Sequence, residues 1–505
     1  MSTETPLSPL VRGGISFCVI LTSLMQALDT TIANIALPHM QGTVSASQDQ
    51  INWVLTSYIV AAAIFTAPTG FLARRFGVKR VYVVAVTGFT LASALCGMAT
   101  TLPQIVLFRL LQGAFGAALV PLAQTTMLDI TPREMQGRSM ALWGMAAMIG
   151  PIMGPVLGGW ITSSYSWRWC FYINLPIGAL ALAGIVFLMP NHSGTRAARL
   201  DWFGFLTLSL AIGALQLMLD RGQQLDWFSS PEIMAEAIVA GTCIYLFLAH
   251  TVTSQAPFLR LAIFKDRNFT AGLLTIFVIS GAYFASFALL TPYLQHLMGY
   301  PVITAGLVMG PRGLAMMVTM MFIGRLMGRV NIRLVLTAGI LLTAWSLYEM
   351  IGWTPDISFT TVALNGAVQG TGLGFLMVPI STMTLGTLAP QYRAEGASLL
   401  SLMRNVGASI GISGLTALLA RNIQINHSEL AEHVTAHMAL PPVSPLSPFS
   451  PIGRAALDAL VNREAAVIAY MDDFKLMMFL VLASLPLVLL FRGRGPGGIA
   501  RAPVE

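Results

Sequence analysis

Apolar stretches of about 20 residues, separated by short polar breaks, recur along the whole chain, and each is long enough to cross a bilayer core as a helix. They fall at 14–37, 52–73, 81–100, 104–128, 139–163, 169–190, 201–220, 233–253, 270–294, 302–324, 333–352, 359–387, 397–420 and 474–491. The pattern predicts fourteen membrane spans, numbered in chain order, with both ends of the chain on one side. The first stretch is longer than a signal-peptide core, carries Asp29 and lacks a small-residue cleavage site, so it reads as a retained helix.

Composition agrees with a polytopic membrane protein. Of 505 residues, 55% are hydrophobic and 10% charged, and the mean hydropathy is +0.73; soluble domains carry about 25% charged residues. The net charge of +7 is explained by where the cations sit. With residues 1–13 in the cytoplasm, nineteen of the 28 Lys and Arg flank spans on that side and six lie on the other, while Arg109, Arg312 and Arg404 fall inside spans. The positive-inside rule then places both termini in the cytoplasm. The charge is therefore no sign of a nucleic-acid partner. Four cysteines stand singly in separate apolar segments and seven histidines are scattered, a pattern that builds neither a disulfide framework nor a metal site. Without a nucleophile–base pair, a metal cluster or a phosphate loop, an enzyme is not expected, nor is a cofactor.

A weak internal repeat organises the spans. The turn G-F-L-A-R-R-F-G-V-K-R at 70–80 resembles G-R-L-M-G-R-V-N-I-R at 324–333, and L-Q-G at 111–113 resembles V-Q-G at 368–370. Likewise P-L-A-Q-T-T-M-L-D-I-T-P at 121–132 resembles P-I-S-T-M-T-L-G-T-L-A-P at 379–390. Parallel six-span repeats are a transporter signature. Pairing spans 1–6 with 9–14 leaves 7 and 8 as an inserted pair. The expected division is a cytoplasmic tail 1–13, a six-helix bundle 14–190, the inserted pair with its flanking loop 191–253, a second six-helix bundle 254–491, and a tail 492–505. Residues 421–473 form an external loop with a Pro/Ser-rich tract at 441–451. It reads as a flexible linker or, through short amphipathic helices at its flanks, as a docking surface.

Few polar groups interrupt the apolar spans. An acid in a membrane helix costs about 2.5–3.5 kcal/mol at mid-bilayer and usually faces a cavity with work to do, so Asp29 in A-L-D-T-T-I-A-N is the leading proton-binding candidate over a merely hydrated interfacial acid. Arg109, in F-R-L-L-Q-G, keeps its proton and acts as a fixed cation beside a carboxyl; the plainer reading is a helix–helix anchor. Arg404 in S-L-M-R-N is a candidate for the substrate cavity, Arg312 beside Pro311 for a bend, and Glu349 for an interface. The basic turn Arg74, Arg75, Lys79 and Arg80, flanked by Gly70 and Gly77, reads as a topology signal or as a tight latch with Asp129 as its candidate partner. In span 5 the run G-P-I-M-G-P-V-L-G-G places Gly150, Pro151, Gly154, Pro155, Gly158 and Gly159 in one helix. Membranes tolerate such residues where neighbours pack closely and re-satisfy the backbone.

These motifs, in this order, resemble the major facilitator superfamily, in particular its fourteen-span drug:proton antiporter branch of the EmrB/QacA type. L-D-T-T-I-A-N-I-A-L-P, the 70–80 turn, R-L-L-Q-G, the 150–159 run and W-R-W-C-F-Y-I-N-L-P-I-G at 167–178 carry the match; L-M-L-D-R-G-Q-Q-L-D-W-F-S-S at 217–230 and F-K-D-R-N-F-T at 264–270 point to the EmrB subgroup. The resemblance implies an all-α membrane protein with the major facilitator fold: fourteen helices as two six-helix bundles plus an inserted pair. It implies export of small amphipathic toxic compounds driven by the proton gradient across the inner membrane, with a periplasmic adaptor and an outer-membrane channel as partners. Proton coupling would fall to Asp29 and Arg109, the span 4 motif to Gln112 and Gly113, gating to Gly70, Arg75, Gly77, Lys79, Arg80 and Asp129, and the antiporter motif to the span 5 glycines and prolines. One departure stands out: the superfamily turn usually has an Asp where this chain has Arg74, so the latch needs another carboxylate, with Asp129 the candidate. A dedicated exporter of one endogenous metabolite or siderophore-like product stays open, as does a non-transporting membrane scaffold or sensor, which the intramembrane charges disfavour.

Overall fold

The computed structural model describes residues 8–191, 201–255, 257–327, 329–433 and 451–491. Among these there are helices and turns but no strand. Twelve helical segments are long and apolar enough to cross a membrane: Pro9–Val44, Val78–Met98, Leu102–Asp129, Trp169–Leu188, Trp202–Arg221, Pro231–Thr253, Arg267–Leu297, Thr304–Leu326, Ile332–Ile351, Phe359–Gly386, Pro390–Glu432 and Pro451–Leu490. Two bent pairs complete the fourteen. Trp53–Thr66 and Thr69–Phe76 meet at 51°, and Arg133–Gly154 and Val156–Ser164 meet at 42°. The first break contains Pro68 and the second falls at Pro155, neither of which has an amide hydrogen for the helix ladder.

Local sequence explains where several helices start. Asp266 accepts the amides of Asn268 and Phe269 ahead of span 9, and Ser358 accepts that of Thr361 ahead of span 12. Proline stands in the first turn of Pro9–Val44, Pro231–Thr253 and Pro390–Glu432, where a missing amide hydrogen costs nothing.

Packing repeats between the halves. Span 1 packs on span 5 as span 9 packs on span 13, and span 2 on span 4 as span 10 on span 12. The halves meet where span 5 runs along span 10 and where the end of span 2 crosses the start of span 13. Span 7, joined to span 8, fits between spans 2 and 13: Gly213 faces Ile64, the Ser409 hydroxyl donates to Gln216 Oε1 at 3.0 Å, and that of Ser413 donates to the Leu219 carbonyl at 2.7 Å.

The segment 421–473 differs from the linker expectation. Span 13 continues as helix to Glu432, and the last span begins as helix at Pro451. The short flanking helices are thus extensions of the spans themselves. The second stretch is rich in Ala, and neither has a glycine or proline to stop the helix over 421–432 or 454–473. His427 Nε2 and Asp458 Oδ1 lie 3.0 Å apart across them. Residues 1–7 of the first tail, the loop at 192–200, most of the Pro/Ser tract (434–450) and the tail from 492 lie outside the described residues.

Candidate functional site

Asp29 and Arg109 meet at the centre of the first half. Arg109 Nη1 donates to Asp29 Oδ2 at 2.7 Å, and both side chains are almost fully buried. The other carboxylate oxygen accepts from Gln112 Nε2 and from Asn174 Nδ2, each at 2.8 Å. Arg109 is held on further sides: Nη1 also donates to Gln112 Oε1 at 2.8 Å and Nε to the Val54 carbonyl at 3.1 Å. Its guanidinium lies over the Tyr58 ring, 4.1 Å from the centroid. Asn174 in turn donates to Ser93 Oγ at 3.0 Å. Spans 1, 2, 3, 4 and 6 all supply polar groups to this cluster. A buried ion pair persists only when both charges are paired and hydrogen-bonded, which this geometry provides.

The span 5 glycines fix where Asp29 sits. A side chain added at Gly150 would meet Ala27 at 2.5 Å, one at Gly154 would strike Thr31, and one at Gly158 would meet Ile35 at 3.3 Å. The three residues therefore form a stripe on which the turns of span 1 around Asp29 rest. Thr31 Oγ1 closes the contact, donating to the Gly150 carbonyl at 3.2 Å. Gly159 has open space around it and belongs to the motif but not to the stripe. Without a hydrophobic drive between helices in lipid, such close approach is what holds them together.

At the end bearing the basic turn, ion pairs cross between the halves. Arg74 Nη1 donates to Glu395 Oε2 at 2.8 Å, and Arg393 Nη1 to Asp129 Oδ1 at 2.7 Å. Glu395 Oε1 also accepts the Arg260 amide at 3.1 Å. A Cβ at Gly70 would run into the Glu395 backbone, so glycine lets span 2 touch span 13 here. Gly77 joins the end of span 2 to the start of span 3 with φ +88°, a conformation that favours glycine.

Between the halves lies a central cavity of about 240 Å³. Met140, Met148, Met316, Met320, Met377, Trp143 and Phe284 give it apolar walls, and Gln26, Thr30, Gln124, Ser381, Ser401 and Asn405 add neutral polar groups. Arg404 is its one charged lining residue among the described residues. Asp29 faces the interior of its own half, although Gln26, Ala27 and Thr30 beside it line the cavity.

The sequence profile of the Major Facilitator Superfamily matches residues 19–420. The chain belongs to the major facilitator superfamily. Curated relatives of this facilitator include the fatty acid resistance protein FarB of Neisseria gonorrhoeae, 35% identical over 86% of both chains, and the multidrug export protein EmrB of Escherichia coli K12, 34% identical over 91% of this chain and 88% of that one. Among solved structures, the proton:xylose symporter XylE shares the fold with a TM-score of 0.59 at 13% identity, covering 94% of this chain and 96% of that one. The human organic anion transporter MFSD10 does so with 0.58 at 16% identity, covering 94% of this chain and 100% of its own.

In this facilitator the structure brings Asp29, Arg109 and Gln112 into one cluster, with Gly113 packed on the Tyr58 carbonyl beside it. It distributes the basic turn differently from the sequence expectation. Arg74 takes Glu395, an acid that sequence reasoning did not single out, and Asp129 faces Arg393. Lys79 Nζ donates to the Met189 carbonyl at 2.6 Å and so caps span 6; Arg75 lies over the Phe76 ring, and Arg80 is exposed. Pro151 and Pro155 lie in span 5, and their side chains are outside the described set. Asn174, Tyr58 and Ser93 were also missed. Asn174 had a signal, as a lone amide in an otherwise apolar stretch. No group of three or more His, Cys, Asp or Glu placed to hold a metal occurs among the described residues.

Proposed function

We propose that this facilitator is a proton-coupled exporter of small amphipathic toxic compounds that works by alternating access. The observation that carries the reading is the Asp29–Arg109 pair, a proton acceptor held beside a cation that cannot release its own proton. With Asp29 ionised, three side-chain donations from Arg109, Gln112 and Asn174 lock spans 1, 4 and 6 together. A proton on Asp29 removes the charge that holds Arg109 and leaves one oxygen able to donate instead of accept. The cluster must then rearrange, and that rearrangement is the link between proton binding and helix movement. The relatives' names, multidrug export and fatty acid resistance, favour export of amphipathic compounds.

In this reading the basic end faces the cytoplasm, both termini lie there, and the protein sits in the inner membrane. The ion pairs Arg74–Glu395 and Arg393–Asp129, with Gly70 and Gly77 at the turn, then form a cytoplasmic gate that opens when the halves rock apart. Arg75 and Lys79 hold the turn in place, and the exposed Arg80 completes its basic face. The division at 14–190, 191–253 and 254–491 describes the moving parts. The helical extensions after span 13 and before span 14 project to the opposite side, where a periplasmic adaptor and an outer-membrane channel would continue the route. The pH gradient is the energy source, with no cofactor.

The test is transport in proteoliposomes with an imposed pH gradient and a panel of chemically unrelated amphiphiles. The wild-type protein should drive several of them against their gradients. Asp29→Asn should abolish gradient-driven flux while the purified protein stays monodisperse, and full coupled transport by that variant would sink the assignment.

A further inference from the structure

Arg404 is the lone charge among the described residues of an otherwise apolar and neutral cavity wall; it is half-buried, and that wall carries no carboxylate. A second arginine stands behind the same wall. Arg312 is 3% exposed, with its Nε and Nη1 unpartnered. Its Nη2 donates to Ser286 Oγ at 2.8 Å, and the guanidinium lies 4.8 Å from the ring centroid of Tyr283. Tyr283 and Met316, one turn along from Arg312, both line the cavity. In a low-dielectric site two guanidiniums without a carboxylate raise a positive potential that repels cations and leaves an anion as the missing partner.

We infer that the central cavity is a binding site for amphipathic monoanions, with the anionic head on Arg404, reinforced by Arg312 behind Tyr283, and the apolar tail along Met148, Met316, Met320 and Met377. The inference rests on the exporter reading for its physiological meaning, since it names the class of compound exported. Arg404 supplies a planar fork of donors that matches a carboxylate or sulfonate. Unbranched methionines accept tails of differing shape. Organic cations are excluded by charge, whatever their hydrophobicity.

Equilibrium binding to the full-length protein in phosphatidylcholine nanodiscs, with no pH gradient, tests this apart from transport. Radiolabelled laurate is the probe, and unlabelled dodecyltrimethylammonium is a competitor of equal chain length. Laurate should bind saturably, and dodecyltrimethylammonium should not displace it. Arg404→Gln should weaken laurate at least about tenfold, the scale of a charge-assisted hydrogen bond, whereas Arg404→Lys, which keeps the charge and loses the fork, should recover part of the affinity and show that the cavity is intact. Equal competition by the cation, or unchanged laurate binding in Arg404→Gln, would overturn the site. So would displacement of laurate by added phosphatidylglycerol at lipid-like mole fractions, which would assign the arginines to a lipid headgroup. If laurate binds as stated but no pH-driven flux occurs, the exporter reading fails and the anion site stands; pH-driven flux of cations without anion binding gives the reverse.

Discussion

Gly113 in span 4 lies against the carbonyl of Tyr58 in span 2, and Gly370 in span 12 lies against the carbonyl of Arg312 in span 10. Similarly, Gly150 meets Ala27 in the first half and Gly407 meets the Phe277 carbonyl in the second. These contacts align the halves at the level of single residues. Four residues before each span 4 or span 12 glycine stand Arg109 and Gly366, and two residues after Ala27 and Phe277 stand Asp29 and Ile279. The backbone frame is therefore repeated, and the chemistry inside it is not. In the first half, arginine and acid face each other and the aromatic ring of Tyr58 covers the arginine. In the second half, the arginine has moved to the Tyr58 position and the acid is replaced by a buried isoleucine. Helix packing and proton chemistry are thus separable properties of this fold, and one half can lose the pair while keeping the packing.

The two arginines should respond in opposite ways to removal of charge. Arg109→Met leaves Asp29 buried with no countercharge, and breaking a buried pair in this way costs about 3–5 kcal/mol. Arg312→Met removes a buried cation that has no acid among the described residues, so stability should hold or rise, by up to about 1–4 kcal/mol by analogy with ion pairs replaced by apolar side chains. Thermal unfolding of the purified variants compares them directly. Equal losses would mean that Arg312 has an acidic partner in the folded protein and that the halves are alike after all.

How much of this was legible in the sequence follows from the physics of each feature. The spans are recognisable because a bilayer demands a long apolar run, and Asp29 and Arg109 because a charge in such a run is rare. Glu395 was not recognisable as a latch. It lies in a polar stretch, Q-Y-R-A-E-G, where an acid needs no explanation, and its partner is more than 300 residues away in sequence. The helical extension of span 13 was hidden for a related reason, since a hydropathy pattern reports where lipid ends and not where the helix ends. The shift of the second arginine from span 12 to span 10 required the glycine contacts themselves. Motif matching aligned L-Q-G with V-Q-G correctly but carried no information on what faces them.

A milder test of the shared frame uses the glycines. Gly113→Ala and Gly370→Ala each place a methyl group against a carbonyl oxygen of the neighbouring span, so the helices must part. Overpacking of this kind costs about 1–3 kcal/mol, and the two variants should lower thermal stability by similar amounts. Their effects on function should differ, because only Gly113→Ala pushes Tyr58 away from Arg109. A large gap in stability between the two would show that the contacts, and not only the chemistry, have diverged.

The smallest expected effect concerns the seams between the halves at the basic end, which repeat the same asymmetry. Where span 2 crosses span 13, Gly70 is backed by the Arg74–Glu395 pair; where span 10 crosses span 5, Gly324 meets Ala141 and Gly137 meets Met327. The second seam relies on packing, and the first adds a charge pair whose side chains are only 16% and 10% exposed. Glu395→Gln keeps an oxygen for the Arg260 amide and removes only the charge, so the expected loss is about 1 kcal/mol and confined to one seam. Amide exchange at 69–77 and 390–400 should then quicken about fivefold, with 137–145 unchanged. Equal quickening at both seams would mean that they open as one unit, and that the ion pair secures the whole end of the molecule and not the single crossing where it sits.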